Sequence, residues 1–443
     1  MLNSERAQQA LQKFRENEAW MEDRIQSGIE ANRKGFMNIS FVDEKGDPVD
    51  NVQVSLEQKT HDFRFGCNLF MLEELRSEEK NAKFKEIYPK LFNLATLPFY
   101  WNAIEPEEGL LRFGKDSPPM YRRPNPDLCL EYCAEHGIEA KLHCLVYDQW
   151  TPQWVPRDDA WKVKQLLERR IRQIAERYRD SIPSMEVTNE TIHRHRNPTK
   201  FFEEPDLVEW SFEQARKHLP YTRLIINEAT QYIWKKTFKY NRSAYYMQIE
   251  RALLKGASID SIGFQFHMFW PRENEPEEAA VVCDPKQLYR VMDQYSDFGK
   301  PLQITEVTVP AYSTEPEDEA VQAEILRNLY RIWFSHPNME AIVYWNMVDG
   351  YAHGSEPGDM SIGENRYHGA LLRHDMTQKP AFHVLDELIN KTWHTSLQTN
   401  ASANLQTKGF YGQYTLTATA NGKTVTQTIH LKKTGKNQFT VQF

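Results

Sequence analysis

Between residues 62 and 392 the chain repeats one pattern eight times. A short apolar run bounded by turn residues is followed, in most cases, by an amphipathic stretch. The apolar runs are 63–70, 91–100, 139–146, 184–189, 223–227, 261–267, 302–307 and 341–347. Helical periodicity fills segments between them, such as 159–178, 242–256 and 316–334. Short apolar runs alternating with helical patterns read as strand–helix units of a parallel sheet. Eight consecutive units point to a closed (β/α)8 barrel, the TIM barrel, over an open doubly wound sheet. Residues 380–391 read as the helix that closes it.

The flanks read differently. Residues 1–61 start with a charged helix whose expected buried stripe is Leu11, Phe14, Trp20 and Ile25. Two alternating runs follow, at 37–42 and 52–56. The turn-like Glu44-Lys-Gly-Asp-Pro48 lies between them, which predicts a strand pair. In residues 393–443, Tyr414-Thr-Leu-Thr-Ala-Thr and Thr424-Val-Thr-Gln-Thr-Ile-His-Leu flank Asn421-Gly422, a strong hairpin signal. The expected division is an N-terminal helix and small β element at 1–61, the barrel at 62–392, and a C-terminal antiparallel β module at 393–443. That module is expected to pack against its neighbour, with carbohydrate binding as the alternative.

Charge and cysteine usage exclude several classes. The net charge of −8 over 443 residues argues against a nucleic-acid partner. The five cysteines are odd in number and scattered, unlike a disulfide framework. Cys129 and Cys133 have helical spacing with no second pair, which argues against zinc. The first residues lack the apolar core of a signal peptide, and no run approaches the ~18 apolar residues of a membrane span. The expectation is a cytoplasmic protein with no membrane partner, with a secreted form that has lost its leader as the alternative. Oligomeric state is not legible.

Two of the strands close on glutamates. Ser184-Met-Glu-Val-Thr-Asn-Glu190 and Pro301-Leu-Gln-Ile-Thr-Glu306 put Glu190 and Glu306 after the fourth and seventh strands. In a barrel those strand ends form the active-site rim, and the two strands face each other across it. Retaining glycoside hydrolysis needs one carboxyl as acid/base and a second, about 5–5.5 Å away, as nucleophile. Asn189 is placed to hydrogen-bond a sugar hydroxyl beside Glu190.

The motifs in between resemble glycoside hydrolase family 10, the β-1,4-xylanase family. Trp101-Asn-Ala-Ile-Glu-Pro-Glu-Glu-Gly109 is similar to its Trp-Asp-x-x-Glu-Pro-x-x-Gly. His143-Cys-Leu-Val-Tyr147 and Thr151-Pro-Gln-Trp154 are similar to His-Thr-Leu-Val-Trp and Thr-Pro-x-Trp. Ser184 to Glu190, Gly263-Phe-Gln-Phe-His267, Ile304-Thr-Glu306 and Tyr344-Trp-Asn-Met-Val-Asp349 follow in the family's order. The resemblance implies Glu190 as acid/base, Glu306 as nucleophile, and His267 hydrogen-bonded to the nucleophile. It implies His143 and Asn189 on the central sugar, Trp345 stacking below it, and Gln265 bridging to the site. Trp101, Tyr147 and Trp150 complete the expected substrate contacts, and Asn227 is a weaker carry-over. No cofactor and no metal are implied.

The departures lie on the glycone side. Where the family has Glu-Asn-x-x-Lys, this chain has Thr96, Leu97 and Tyr100. Trp-His-Ser-Gln becomes Tyr147-Asp148-Gln149-Trp150, and a second Trp becomes His353. A site that has lost polar sugar contacts is expected to prefer short or decorated β-glycosides over plain xylan. Arg122 and Arg123, in the proline-bracketed segment 118–126, are expected as surface cations, with contact to an acidic sugar as the alternative. Two other classes stay open. One is a metal-dependent isomerase or lyase using Glu190, Glu306, His143 and His267, with Asp148 as a further ligand. The other is a non-catalytic carbohydrate-binding barrel.

Overall fold

A computed structural model describes residues 2–192, 197–229, 232–235 and 240–443. Its strands are β1 (Lys34–Val42), β2 (Val52–Gln58), β3 (Arg64–Asn68), β4 (Leu94–Pro98), β5 (Glu139–Val146), β6 (Ser184–Asn189), β7 (Arg223–Glu228), β8 (Ser261–His267), β9 (Leu302–Thr308), β10 (Met339–Tyr344), β11 (Ser396–Ala401), β12 (Asn404–Phe410), β13 (Gly412–Ala420), β14 (Lys423–Leu431) and β15 (Gln438–Gln442). Strands β3 to β10 close in sequence order into a parallel barrel, with β10 pairing back to β3.

The outer helices form for ordinary reasons. The helix Ala160–Tyr178 starts at Asp159, whose side chain accepts from the Lys162 amide. Val163, Leu166, Leu167, Ile171, Ile174 and Tyr178 repeat at helical spacing and are buried. Truncating one of them, as in Leu167→Ala, would cost about 2–5 kcal/mol. Arg170 is buried on the same face, and its guanidinium donates to the carbonyls of Phe99, Cys144 and Leu145. It thereby satisfies the backbone where β4 and β5 end, directly under the rim.

Several strand boundaries differ from the sequence reading, two of them by three residues or more in the core of the barrel. The apolar run at 91–100 begins as the end of the helix Glu78–Leu91, and β4 starts only at Leu94. A short apolar run does not by itself separate a buried helix end from a strand. The last barrel strand stops at Tyr344, so Trp345 and Met347 belong to the following loop.

Three helical pieces, Glu5–Ala10, Gln12–Glu16 and Glu18–Asn32, lie along the barrel wall. Arg6 reaches the carbonyls of Pro310 and Ala311, just past the end of β9. Arg33, at the other end, donates to the carbonyls of Phe334, His336 and Met339, where β10 begins. The segment therefore runs from rim to base. Gly28 lets it approach closely, because a Cβ there would sit 2.6 Å from the Ser335 carbonyl oxygen. Trp20 is not in the buried stripe: it is 40% exposed, and Met21 and Ile29 are buried instead. The breaks at Leu11 and Asn17 shift the helical phase that an unbroken helix would have kept.

The strands before and after the barrel share two small sheets. β1 lies between β12 and β15, and β2 lies between β11 and β13, with β14 outside. The predicted pairing of the 37–42 run with the 52–56 run does not form. Each finds its partners in the C-terminal segment, and Met37, Ile39, Phe41, Val54, Leu56 and Leu416 fill one apolar core between the sheets. The Asn421-Gly422 hairpin is present. Ala420 pairs with Lys423, and both turn residues have positive φ, 51° and 76°. Such values give the turn a twist that matches the strands.

Candidate active site

The strand register brings the site together before any side chain is considered. His143 on β5 pairs with Glu186 on β6, Asn189 on β6 with Asn227 on β7, and Gln265 on β8 with Glu306 on β9. Asn189, Asn227, Gln265 and Glu306 lie toward the C-terminal ends of their strands, and His143 and Glu186 lie deeper in the barrel. Together with Glu190 and Trp345, four of them (His143, Asn189, Gln265 and Glu306) line a cleft of about 320 Å³.

Glu190 follows β6 with φ 51°, a left-handed conformation that costs a residue with a side chain on the order of 1 kcal/mol. Its amide donates to the Asn227 carbonyl at 3.3 Å, which holds the turn. One carboxylate oxygen accepts from Gln265 Nε2 at 3.0 Å, and the other accepts from the Tyr147 hydroxyl at 2.6 Å. Asn189 Oδ1 accepts from both Asn227 Nδ2 (2.8 Å) and Gln265 Nε2 (3.3 Å). Those two donors fix which way the amide faces, so its NH₂ group is the part left to meet a ligand.

Glu306 is 4% exposed. Asn227 Nδ2 donates to its Oε1 at 3.1 Å, and His267 Nε2 lies 3.0 Å from Oε2. On its other side, His267 Nδ1 is 3.0 Å from the Thr308 hydroxyl. Burial pushes His267 down to about 4, so the imidazole is neutral near pH 7. With Glu306 ionised, Nε2–H donates to it and the Thr308 hydroxyl donates to Nδ1. Burial also pushes the Glu306 carboxyl up to about 8. His143 and Lys141 oppose that rise, while the charges of Glu186 and Glu190 add to it.

Below this pair lies a charged layer of which the sequence reading singled out only His143. Lys141 Nζ donates to Glu186 Oε1 at 2.6 Å, and His143 Nδ1 bonds the other Glu186 oxygen. Burial alone would raise the Glu186 carboxyl, but Lys141 and His143 together hold it down at about 2. The sequence did carry a signal. Lys141 and His143 are two apart in a buried strand, the spacing that puts both on one side.

Trp345 packs edge-on to Phe70 (5.2 Å) and His143 (5.6 Å) and lines the cleft. Tyr147 and Trp150 also line it, as do Tyr100 and His353. Trp101 does not. Its indole donates to Glu105 at 3.0 Å, Trp154 donates to the Glu105 carbonyl, and Glu105 accepts from the Gly109 amide. The Trp101–Gly109 motif therefore fastens the loop after β4 and makes no part of the cleft. Leu97 is likewise in the main core. Arg122 and Arg123 are not surface cations: they are buried and line the cleft.

His143, Glu186 and Glu306 offer atoms within 4.8 Å of one another, a spacing a metal could use. Lys141 already places a positive charge on Glu186, however, and a cation bound there would meet like-charge repulsion. Asp148, the further carboxylate a metal enzyme would need, is bound to the Thr199 amide and hydroxyl instead.

The family model described as "Glycosyl hydrolase family 10" matches residues 61–387. A β-1,4-xylanase from Dictyoglomus thermophilum is 22% identical over 64% of this chain and 86% of its own length. An anti-sigma-I factor from Acetivibrio thermocellus is 23% identical over 90% of this chain, which spans only 47% of that protein. Among solved structures, native xylanase 10B from Thermotoga maritima superposes with a TM-score of 0.59 at 19% identity. The match covers 75% of this chain and 96% of that one. Xylanase 10B from Thermotoga petrophila, in complex with xylobiose, gives 0.58 at 20% identity over 75% and 95%.

Proposed function

The chain belongs to glycosyl hydrolase family 10, and from that premise we propose a retaining β-glycosidase, xylanase-like in its chemistry, that acts on short or decorated β-linked oligosaccharides. The observation that carries this reading is the pair Glu190 and Glu306. They occupy one cleft and are joined through Gln265, Asn189 and Asn227. In the proposed reaction Glu306 attacks the anomeric carbon while Glu190 protonates the leaving oxygen. Glu190 then takes a proton from the water that hydrolyses the glycosyl–enzyme bond. Asn227 and neutral His267 donate to Glu306 and favour its ionised form. Asn189 offers its NH₂ to the sugar 2-hydroxyl, a contact that strengthens at the transition state.

The second reading is a non-catalytic carbohydrate-binding barrel, and the match over 90% of this chain to a protein named as an anti-sigma factor, not as a hydrolase, keeps it in play. Against it stands the shared hydrogen-bond network of the two glutamates, which binding alone does not need. The test is a panel of aryl β-xyloside, glucoside, galactoside and glucuronide substrates, with product stereochemistry followed by NMR. Release of the β-anomer first is expected. Release of the α-anomer would overturn retention, and no turnover on any substrate would overturn the enzyme reading.

A further inference from the structure

Two guanidinium groups stand on one flank of the cleft, and the hydrolysis described above uses neither. Arg122 and Arg123 are adjacent in the connection after β4 and are 4% and 6% exposed. Their hydrogen bonds go to neutral acceptors. Arg122 donates to the Tyr351 carbonyl and to Asn346 Oδ1, and Arg123 donates to the Arg122 carbonyl. Arg122 Nε is buried with no acceptor among the described residues.

Aromatic rings pack around Arg123. Its guanidinium carbon lies 4.1 Å from the Tyr100 ring centroid, with Trp150 at 5.3 Å and Phe70 at 5.4 Å. A guanidinium over aromatic rings is engaged through its face, and its N–H groups remain for a planar anion. A buried charge without a counter-ion is costly, and burial pushes Arg123 down to about 10. The carboxylate that acts on it, Glu364, also lines the cleft and accepts from Asn346 Nδ2 at 2.6 Å. His353 adds no charge of its own near pH 7, since burial and then the two arginines push its imidazole down. Glu190 and Glu306 would repel a ligand carboxylate, so the arginine flank is where one can settle.

We propose that Arg122 and Arg123 form a carboxylate subsite beside Tyr100 that binds a uronic-acid unit of the glycoside. The identity of that ligand rests on the glycosidase reading. The affinity for a sugar carboxylate rests on the two guanidinium groups.

The test uses glucuronosyl-substituted xylo-oligosaccharides and the same compounds after carboxyl reduction, which replaces the carboxylate with a neutral hydroxymethyl. The uronosyl form should show a KM on the order of tenfold lower. Arg123→Met should bring the ratio of the two KM values toward one. Arg123→Lys should keep part of it, since the charge stays and the planar fork is lost. Equal KM values for the wild-type protein, or an Arg123→Met protein that keeps the ratio, would overturn the subsite. Thermal melts identify a variant that fails to fold, and the wild-type comparison carries the test in that case. Calorimetry of both compounds with Glu306→Gln separates the two readings. If no glycoside is cleaved yet the uronosyl form binds preferentially, the hydrolase reading fails and the subsite stands. If neutral glycosides are cleaved and no preference is seen, the subsite alone fails.

Discussion

Asn227 Nδ2 lies 3.1 Å from Glu306 Oε1. The same nitrogen is 2.8 Å from Asn189 Oδ1 and 3.3 Å from Glu186, while Asn227 Oδ1 accepts from the Thr305 hydroxyl at 2.6 Å. One amide on β7 thus ties β9, which carries Glu306, to β6, which leads into Glu190. Its orientation is fixed, because only the NH₂ end can face three acceptors and only the oxygen can face a hydroxyl donor.

Asn227→Ala should therefore lower kcat/KM by about 10- to 100-fold. A hydrogen bond to a charged group contributes about 1.5–3 kcal/mol, and Asn189 loses a donor as well. Asn227→Asp should do worse, since it adds a carboxylate beside two others. Steady-state kinetics on an aryl glycoside would check this. An alanine variant with wild-type kcat/KM would show that the amide only fills space.

The barrel was legible because its signal repeats eight times: an error of three residues at 91–100 leaves the strand count intact. Glu190 and Glu306 were legible because strand ends on a barrel have a known destination. The charged layer beneath them was not, since Lys141 and Glu186 look like surface charges until the register of β5 against β6 faces them inward. The same holds for Arg122 and Arg123: two adjacent arginines in a proline-rich loop read as solvated, and only packing against Phe70 and Tyr100 buries them. The arrangement of β1 and β2 was beyond reach for another reason. Their partners lie more than 300 residues away, and a local turn signal outweighs a distant one in any reading of the chain.

The two glutamates should separate cleanly by rescue. Glu306→Ala should abolish turnover on activated and natural substrates alike, because no glycosyl–enzyme bond can form. Glu190→Ala should still form that bond from an aryl glycoside with a good leaving group, which needs little protonation. Added azide should then restore its second step and yield the β-glycosyl azide. Identical behaviour of the two variants with azide would mean the roles are misassigned.

Activity should fall on the acid side at a higher pH than an ordinary carboxylate would give. Glu306 must be ionised to attack, and burial, with the charges of Glu186 and Glu190, pushes its carboxyl up to about 8. Activity that depends on its ionised form is lost as pH falls through that raised value. Glu190→Gln removes one like charge, so the acid limb should move to lower pH when an activated substrate makes the acid unnecessary. Profiles of kcat/KM for both proteins would read this, and an acid limb near the ordinary pKa of glutamate in the wild type would contradict it.

Lys141→Met should destabilise the fold by about 3–5 kcal/mol, because it leaves the Glu186 carboxylate buried without its ammonium partner. In the wild type, Glu186 is held at about 2 in the folded chain. The stability it contributes is present above the ordinary carboxylate range, near pH 4.3, and drains away as pH falls from there toward 2. In Lys141→Met the folded-state pKa of Glu186 rises toward the unfolded value, so that decline should end at higher pH and be smaller. Urea unfolding between pH 3 and 7 would measure both, and parallel stability curves for the two proteins would refute the pairing.

Action on plain polymeric xylan should be weak or absent. Tyr100, Trp150 and His353 close one flank of the cleft: Trp150 meets the His353 ring edge-on at 4.8 Å, and Arg123 packs over Tyr100. This flank holds aromatic rings and guanidinium groups. A neutral sugar there gains stacking but leaves the buried arginines without an anion, so an undecorated chain forfeits discrimination that a short or charged glycoside keeps. Digests analysed by chromatography should show cleavage of short or uronosyl-bearing oligosaccharides well before polymer is consumed. If xylobiose and xylotriose are released from unsubstituted xylan as fast as short oligosaccharides are cut, the flank is open and the cleft binds polymer after all.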